Sequence, residues 1–288
     1  MAVSTTLISS RTNARVKQLR AAFSGNPRLS NGLVAIEGDH LLEEALRSGI
    51  TPNAVFLSAR RDVPRTLPPA TEVLRLAEDV FSGAVDTRSP QGIAALIDPP
   101  LYRTDEIMQR TSPLILVAAG LQDPGNLGTL IRSAEAFGAT GVLTTPGTVS
   151  PWNQKALRAS VGSIFRMPVA AATEETIAAL KGQGLRLLAA VGAKEQGVLA
   201  AQDVDMRQAC AILIGNEGAG LAPAWLAMAS VRVTIPCPGP VESLNAAVAG
   251  SLLLYEASRQ RATPLQSNTL ITARIPNTQP RRPTGATR

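Results

Sequence analysis

LILVAAGLQDPGNLGTLIR, residues 114–132, decides the fold class. Leu114–Ala119 is an uninterrupted apolar run of the kind a strand needs when both its faces are covered. Asp123, Pro124, Gly125 and Asn126 then force a turn, and Leu127–Phe137 carries a helical pattern that Gly138 stops. Gly128 permits a close approach at the first helical turn. Arg132 stands one turn further on, where its guanidinium can reach back over the strand ends.

The same alternation continues outward from this joint. Strands are expected at Gly141–Thr145, Arg166–Ala171, Leu185–Val191, Ala211–Gly215 and Arg232–Ile235. Helices are expected at Asn153–Ser160, at Thr173–Gly182 with Thr173 as its cap, and at Pro223–Ala229. A long final helix is expected over Ser243–Arg261, capped by Ser243, with Leu244, Ala247, Val248, Leu252 and Tyr255 on one apolar stripe. Strand and helix in regular alternation argue for an α/β fold, a mostly parallel sheet with helices on both faces. Residues 1–105 mix shorter signals: helices at Asn13–Phe23 and His40–Ser48, strands at Leu33–Glu37, Ala54–Leu57 and Glu72–Leu76. Asp98, Pro99 and Pro100 read as the approach to a linker. The expected division is 1–105, 106–262 and a Thr/Pro/Asn/Arg-rich tail, 263–288, without regular structure.

Two further joints resemble the first in composition. Ile214–Gly220 (IGNEGAG) places Asn216 and Glu217 among Gly215, Gly218 and Gly220; Ile235–Asn245 (IPCPGPVESLN) leads through Pro and Gly to Ser243 and Asn245. Ligands of open α/β sheets sit outside the carboxyl ends of the strands, where all three joints lie. Neither GxGxxG nor GxxxxGK[ST] is present, so the two common nucleotide fingerprints are excluded.

Composition narrows the chemistry. One histidine, His40, and two cysteines, Cys210 and Cys237, in 288 residues leave too few ligands for a Cys/His zinc site and exclude a disulfide framework. His40, Trp152 and Trp225 are expected to pack at helix starts, and the cysteines to be small buried hydrophobes. No apolar run is long enough for a membrane span, and the N-terminus lacks a secretory pattern. A reducing, cytoplasmic setting is expected. The net charge is +6, yet residues 1–28 and 261–288 each carry five basic residues and no acid, which leaves the body at −4. Two basic ends on a mildly acidic body suit a polyanion, with Arg11, Arg15, Lys17 and Arg20 as candidate RNA contacts.

Taken in order, the three joints resemble the SpoU-type (TrmH-like) RNA 2′-O-ribose methyltransferases of the SPOUT superfamily. The resemblance rests on Asn126, Gly128 and Arg132; on Gly215–Gly218; on Ile235, Pro236, Ser243, Leu244 and Asn245; and on Arg158, Ser160, Gly162, Ser163, Pro168 and Val169 between them. Asn13, Val16, Lys17, Glu37, Gly38, His40 and Pro90–Ile93 are similar to that family's substrate-binding domain. The resemblance implies a deep trefoil knot, a homodimer through the C-terminal domain, and methylation of a ribose 2′-hydroxyl with S-adenosylmethionine and no metal. It implies cofactor contacts at Gly215, Asn216, Glu217, Gly218, Ile235, Pro236, Ser243 and Leu244, and catalytic roles for Arg132, Asn126, Glu217, Ser243 and Asn245. Glu217 either accepts a proton or pins Arg132; an ion pair of Arg132 with Glu135 is the bland alternative. The N-terminal domain favours 23S rRNA over tRNA as substrate. A catalytically silent RNA-binding protein is the competing reading, and a small-molecule α/β enzyme a weaker one.

Overall fold

The computed structural model describes residues 3–24, 31–193, 197–240 and 243–262. The 263–288 tail therefore lies outside the described residues.

The first part of the chain runs β1 (Val3–Ile8), α1 (Ala14–Phe23), β2 (Val34–Glu37), α2 (Asp39–Arg47), β3 (Ala54–Ser58), β4 (Glu72–Leu76), α3 (Glu78–Ser82) and β5 (Ile93–Ile97). Its sheet has the order β1-β4-β3-β5-β2. The β1–β4 and β4–β3 pairs are parallel, while β5 pairs antiparallel with β3 and β2. Asn13 starts α1 by accepting a hydrogen bond from the Arg15 N–H at 2.9 Å, and Val16 and Leu19 bury the inner face.

The second part runs α4 (Thr104–Met108), β6 (Leu114–Ala118), α5 (Pro124–Ala136), β7 (Gly141–Thr144), α6 (Gln154–Ser160), β8 (Val169–Ala171), α7 (Glu174–Gly182), β9 (Arg186–Ala190), β10 (Val198–Ala200), β11 (Cys210–Ile214), α8 (Pro223–Met228), β12 (Val231–Thr234) and α9 (Ala246–Arg261). Seven strands in the order β10-β12-β9-β11-β6-β7-β8 make one sheet, and every pair in it is parallel. β6 and β11 are buried at every position. The period-2 rule divides their side chains cleanly. Leu114, Leu116 and Ala118 join Leu130, Ile131 and Leu253 on one face, while Ile115 and Val117 join Ile107, Ile177 and Trp225 on the other.

The structure departs from the sequence reading at several points. β1, β5, β10, α3 and α4 are additional. The two helices have five residues each, too short to show a 3.6-residue period. The chain crosses between the sheets over Asp98–Arg103. The expected division at 105 falls inside α4, whose Ile107 packs in the second core. α9 begins at Ala246, not Ser243, because Asn245 supplies the cap. The expected stripe on α9 is also displaced. Ala247, Gly250, Leu253, Leu254 and Ala257 face inward, whereas Val248, Leu252 and Tyr255 are exposed.

One apolar cluster runs through both parts, with Ile36 and Leu42 of the first and Leu157 and Phe165 of the second among its members, and polar contacts add to it. The Gln154 side-chain amide donates to the Ala35 carbonyl at 2.8 Å in a buried setting. Arg166, after a 3₁₀ turn at Ser163–Phe165, reaches Glu44 on α2 at 2.6 Å. Gly162 has φ +85°, and a Cβ there would lie 2.6 Å from the Glu44 side chain, so glycine is required on both counts.

Candidate functional site

The β6–α5 joint is built on Asp123. Its carboxylate accepts from the Asn126 N–H at 2.8 Å and holds the Lys155 ammonium at 2.6 Å, with Pro124 in the first turn. The Lys155 hydrogen bond, then that of Asn126, keeps the Asp123 carboxyl below its usual range. This cap starts α5 three residues earlier than Leu127 and puts Asn126 in its first turn. Gly128 does permit a close approach, but to α6: a Cβ there would stand 2.3 Å from the Ala156 carbonyl oxygen.

The β11 joint is a tight loop closed by paired backbone hydrogen bonds between Asn216 and Gly220, each 2.9 Å. A Cβ on Gly215 would lie 2.3 Å from the Gly220 carbonyl carbon, so only glycine fits. The Asn216 side chain organises the loop. Its oxygen accepts from Gly218 N–H (2.9 Å) and Ala219 N–H (3.0 Å), and its nitrogen donates to the Gly120 carbonyl (3.1 Å). In the third joint, Asn245 caps α9 through Ala247 N–H (2.9 Å) and Val248 N–H (3.2 Å).

Side chains tie the three joints into one frame. Glu217 Oε1 accepts from the Asp123 N–H and from Asn126 Nδ2, both at 3.0 Å, and Oε2 accepts from the Gln122 N–H at 3.3 Å. Asn126 Oδ1 accepts from Asn245 Nδ2 at 3.0 Å. Partial burial pushes the Glu217 carboxyl up, but the hydrogen bonds from Asn126, Asp123 and Gln122 outweigh it and hold the group below its ordinary value. Glu217 therefore stays ionised at neutral pH, and it holds the first joint without touching Arg132.

This frame borders a cleft of about 580 Å³, within the range of small-molecule sites. The Gly215–Leu221 loop forms one wall; Ile235, Cys237, Gly239 and Pro240 form another. Ser243, Leu244 and Ala246 close the end, over an apolar floor of Ile214, Leu226, Val233 and Leu253. Of the expected cofactor contacts, Gly215, Asn216, Glu217, Gly218, Ile235, Ser243 and Leu244 line the cleft and Pro236 does not. Asn126, Asn245 and Arg132 also stand outside the lining. Ala190–Ala193, at the end of β9, line it too and were not anticipated. The signal there is a strand running straight into small residues, Val191, Gly192 and Ala193.

Arg132 is exposed on α5 and has no hydrogen bond or ion pair among the described residues. The alternative pairing with Glu135 is not made, because Arg166 holds both oxygens of Glu135, at 2.5 and 3.1 Å. Of the expected RNA contacts, Arg11 pairs with Asp79 at 3.2 Å, Arg15 pairs with Glu72, and Arg20 donates to the Gly83 carbonyl at 3.1 Å. Lys17 is exposed and has no partner among the described residues.

His40 sits in the first turn of α2 but is exposed, not packed. Cys210 is buried as expected, whereas Cys237 is half-exposed at the cleft. Trp225 is buried in α8, and Trp152 stacks on Phe165 with centroids 6.4 Å apart. Among the described residues, no three His, Cys, Asp or Glu side chains gather to hold a metal ion, and no helix is long and apolar enough to cross a membrane.

Comparison with known proteins adds to this geometry. Residues 113–255 match the SpoU rRNA Methylase family and residues 13–95 the MRM3-like substrate binding domain. The chain is 34% identical over 249 residues to the 23S rRNA (guanosine(2553)-2′-O)-methyltransferase RlmP of Bacillus subtilis, covering 86% of this chain and 97% of the relative. It is 30% identical to the 23S rRNA (uridine(2479)-2′-O)-methyltransferase of Streptomyces viridochromogenes, covering 86% and 91%. The crystal structure of the SpoU methyltransferase AviRb from Streptomyces viridochromogenes with AdoMet superposes with a TM-score of 0.77 at 29% identity, covering 86% of this chain and 98% of that one.

Proposed function

The chain belongs to the SpoU rRNA methylase family, and from that premise we propose that it methylates a ribose 2′-hydroxyl of 23S rRNA with S-adenosylmethionine. The observation that carries this reading is the frame of Asn126, Glu217 and Asn245, which locks three strand-end joints around the cleft.

The cleft suits S-adenosylmethionine. Its apolar floor accepts a purine, its walls offer backbone N–H and C=O groups from glycine-rich loops, and Glu217 is the one charged side chain among its described lining residues. When bound, the cofactor supplies a methyl group already electrophilic on its sulfonium. The chain has then to place a 2′-oxygen in line and steady the charge that develops on it. Arg132 is suited to that task. A guanidinium remains protonated, so it orients the hydroxyl and a neighbouring phosphate without acting as the base. Glu217 already accepts three hydrogen bonds, so its part is to hold the frame. Asn126 and Asn245 set the approach of α5 to α9, and Ser243 stands at the end of the cleft.

Residues 3–97 form the RNA-binding part in this reading, supported by the match of residues 13–95 to a substrate-binding domain. The rRNA relatives favour 23S rRNA over tRNA and a cytoplasmic setting. A deep trefoil knot belongs to the same reading through the family, and α9 returns from the third joint onto α5, β6 and β11. A homodimer through the C-terminal part is supported by Val248, Leu252 and Tyr255, an exposed apolar stripe on α9 with spacing i, i+4, i+7.

The test is a calorimetric titration with S-adenosylmethionine, followed by transfer of labelled methyl to 23S rRNA and to tRNA in EDTA. Binding, and label recovered as a 2′-O-methylnucleoside from 23S rRNA, are expected. Label on a base contradicts the reading, transfer to tRNA alone corrects its substrate, and absence of cofactor binding favours a silent RNA binder.

A further inference from the structure

Arg166 holds two carboxylates from two parts of the molecule. Its Nε and Nη2 donate to Oε1 and Oε2 of Glu135 on α5, at 2.5 and 3.1 Å. Its Nη1 donates to Glu44 on α2 at 2.6 Å and to the Ser48 hydroxyl at 3.4 Å. Glu44 has a second partner in Arg47, at 2.8 Å; among the described residues the ion pair with Arg166 is the one Glu135 makes. The paired geometry on Glu135 is the fork-to-fork arrangement that makes arginine–carboxylate contacts specific.

The position of Glu135 gives this contact a consequence. It stands three residues after Arg132 on the same helix, a spacing at which an arginine and a glutamate meet on the helix surface. Released by Arg166, Glu135 keeps the Ser163 hydroxyl as a partner but no cation, and it stands one turn from the Arg132 guanidinium. Arg132 is exposed and unpaired among the described residues while Glu135 is occupied.

We propose that Arg166 is a positioning residue for methyl transfer: by occupying Glu135 it keeps Arg132 unpaired and available to the RNA. The inference rests on the reading of Arg132 as the group that orients the 2′-oxygen. It differs from a role in joining the two parts of the chain, which belongs to the Glu44 arm.

Single-turnover methyl transfer, with a cofactor titration on each preparation, separates these possibilities. Arg166→Gln is expected to slow transfer by about tenfold or more while cofactor affinity stays within about twofold. Adding Glu135→Gln to it is expected to restore the rate to within about threefold of wild type, and adding Glu44→Gln instead is expected not to. A merely structural role for Arg166 predicts no rescue by Glu135→Gln. Should Arg166→Gln fail to fold, Arg166→Lys retains a charge for Glu44 without the fork for Glu135, and the same rescue is read in that background. Wild-type transfer by the folded Arg166 variant, or no rescue, overturns the proposal. Arg132→Ala is run in parallel: if it is slow and no rescue is seen, only the present inference fails. If Arg132→Ala transfers at the wild-type rate, the reading of Arg132 falls and the inference with it.

Discussion

The Asn245 side-chain nitrogen donates to the Asn126 side-chain oxygen over 3.0 Å, across a sequence separation of 119 residues. Asn126 passes the connection on to Glu217, and each amide is used at both ends. Asn126→Asp removes the donor to Glu217 and sets a second negative charge beside it. The expected cost is about 1–2 kcal/mol, reduced from the value for a buried charged contact because Glu217 is exposed. Cofactor affinity is expected to fall by about tenfold, measured by calorimetry, because the two loops lose their common anchor. Unchanged affinity would detach the frame from the cleft.

Two glycines of one loop make a paired test. A Cβ on Gly215 would lie 2.3 Å from the Gly220 carbonyl carbon, whereas on Gly218 the nearest atom is 3.7 Å away. Gly215→Ala is expected to lower stability by about 1–3 kcal/mol, a drop of several degrees in Tm. Gly218→Ala is expected to leave Tm unchanged. Thermal melts of the two variants check this, and equal melting temperatures would contradict the loop geometry.

The Glu217 carboxyl lies below its ordinary value of 4.5 in the folded protein, since the hydrogen bonds it accepts outweigh its desolvation. A depressed carboxyl contributes stability above the unfolded value and loses it as pH falls through the folded one. Cofactor affinity is therefore expected to be level from neutral pH to about pH 5 and to decline only below the usual carboxylate range. Glu217→Gln is expected to bind weakly at every pH and to lose that acidic decline. A midpoint near neutrality in the wild-type titration would point to another group.

Much of this was legible before the structure. The parallel sheet followed from the alternation of strand and helix signals, with Leu114–Ala119 and Ala211–Gly215 as apolar runs; the strands observed are Leu114–Ala118 and Cys210–Ile214, buried on both faces. The three joints were visible because glycine and proline mark turns whatever surrounds them. What escaped were short elements, such as α3 and α4, and pairings set by tertiary context. Ser243 looked like a helix cap from position alone, but Asn245 both caps α9 and reaches Asn126, a contact that becomes visible only when the ends of β6 and β12 share a sheet. The assignment of Glu135 to Arg166 rather than to its helical neighbour Arg132 was hidden for the same reason. Likewise the apolar spacing of Val248, Leu252 and Tyr255 was plain, yet which face of α9 turns inward depended on Leu130 and Ile214 packing against Gly250.

That outward stripe gives a prediction on assembly. Leu252 is 42% exposed and Tyr255 51%, while Leu253 and Leu254 beside them are buried. Leu252→Glu is expected to give a folded chain with a sedimentation mass near the 30.1 kDa of one chain, and the wild type a mass of about twice that. A monomeric wild type at micromolar concentration would leave the stripe without a dimer partner.

Mapping 2′-O-methylation across 23S rRNA and tRNA, in cells lacking the gene and in the same cells carrying wild type or Arg132→Lys, tests the central claim most directly. One ribose of 23S rRNA is expected to lose its methyl group and to regain it with wild type. Arg132→Lys keeps the charge but not the planar fork; losing that contact costs on the order of 3 kcal/mol in the transition state, enough to leave the position almost unmethylated. An unchanged map of 23S rRNA in the deleted cells, or full restoration by Arg132→Lys, would contradict the account.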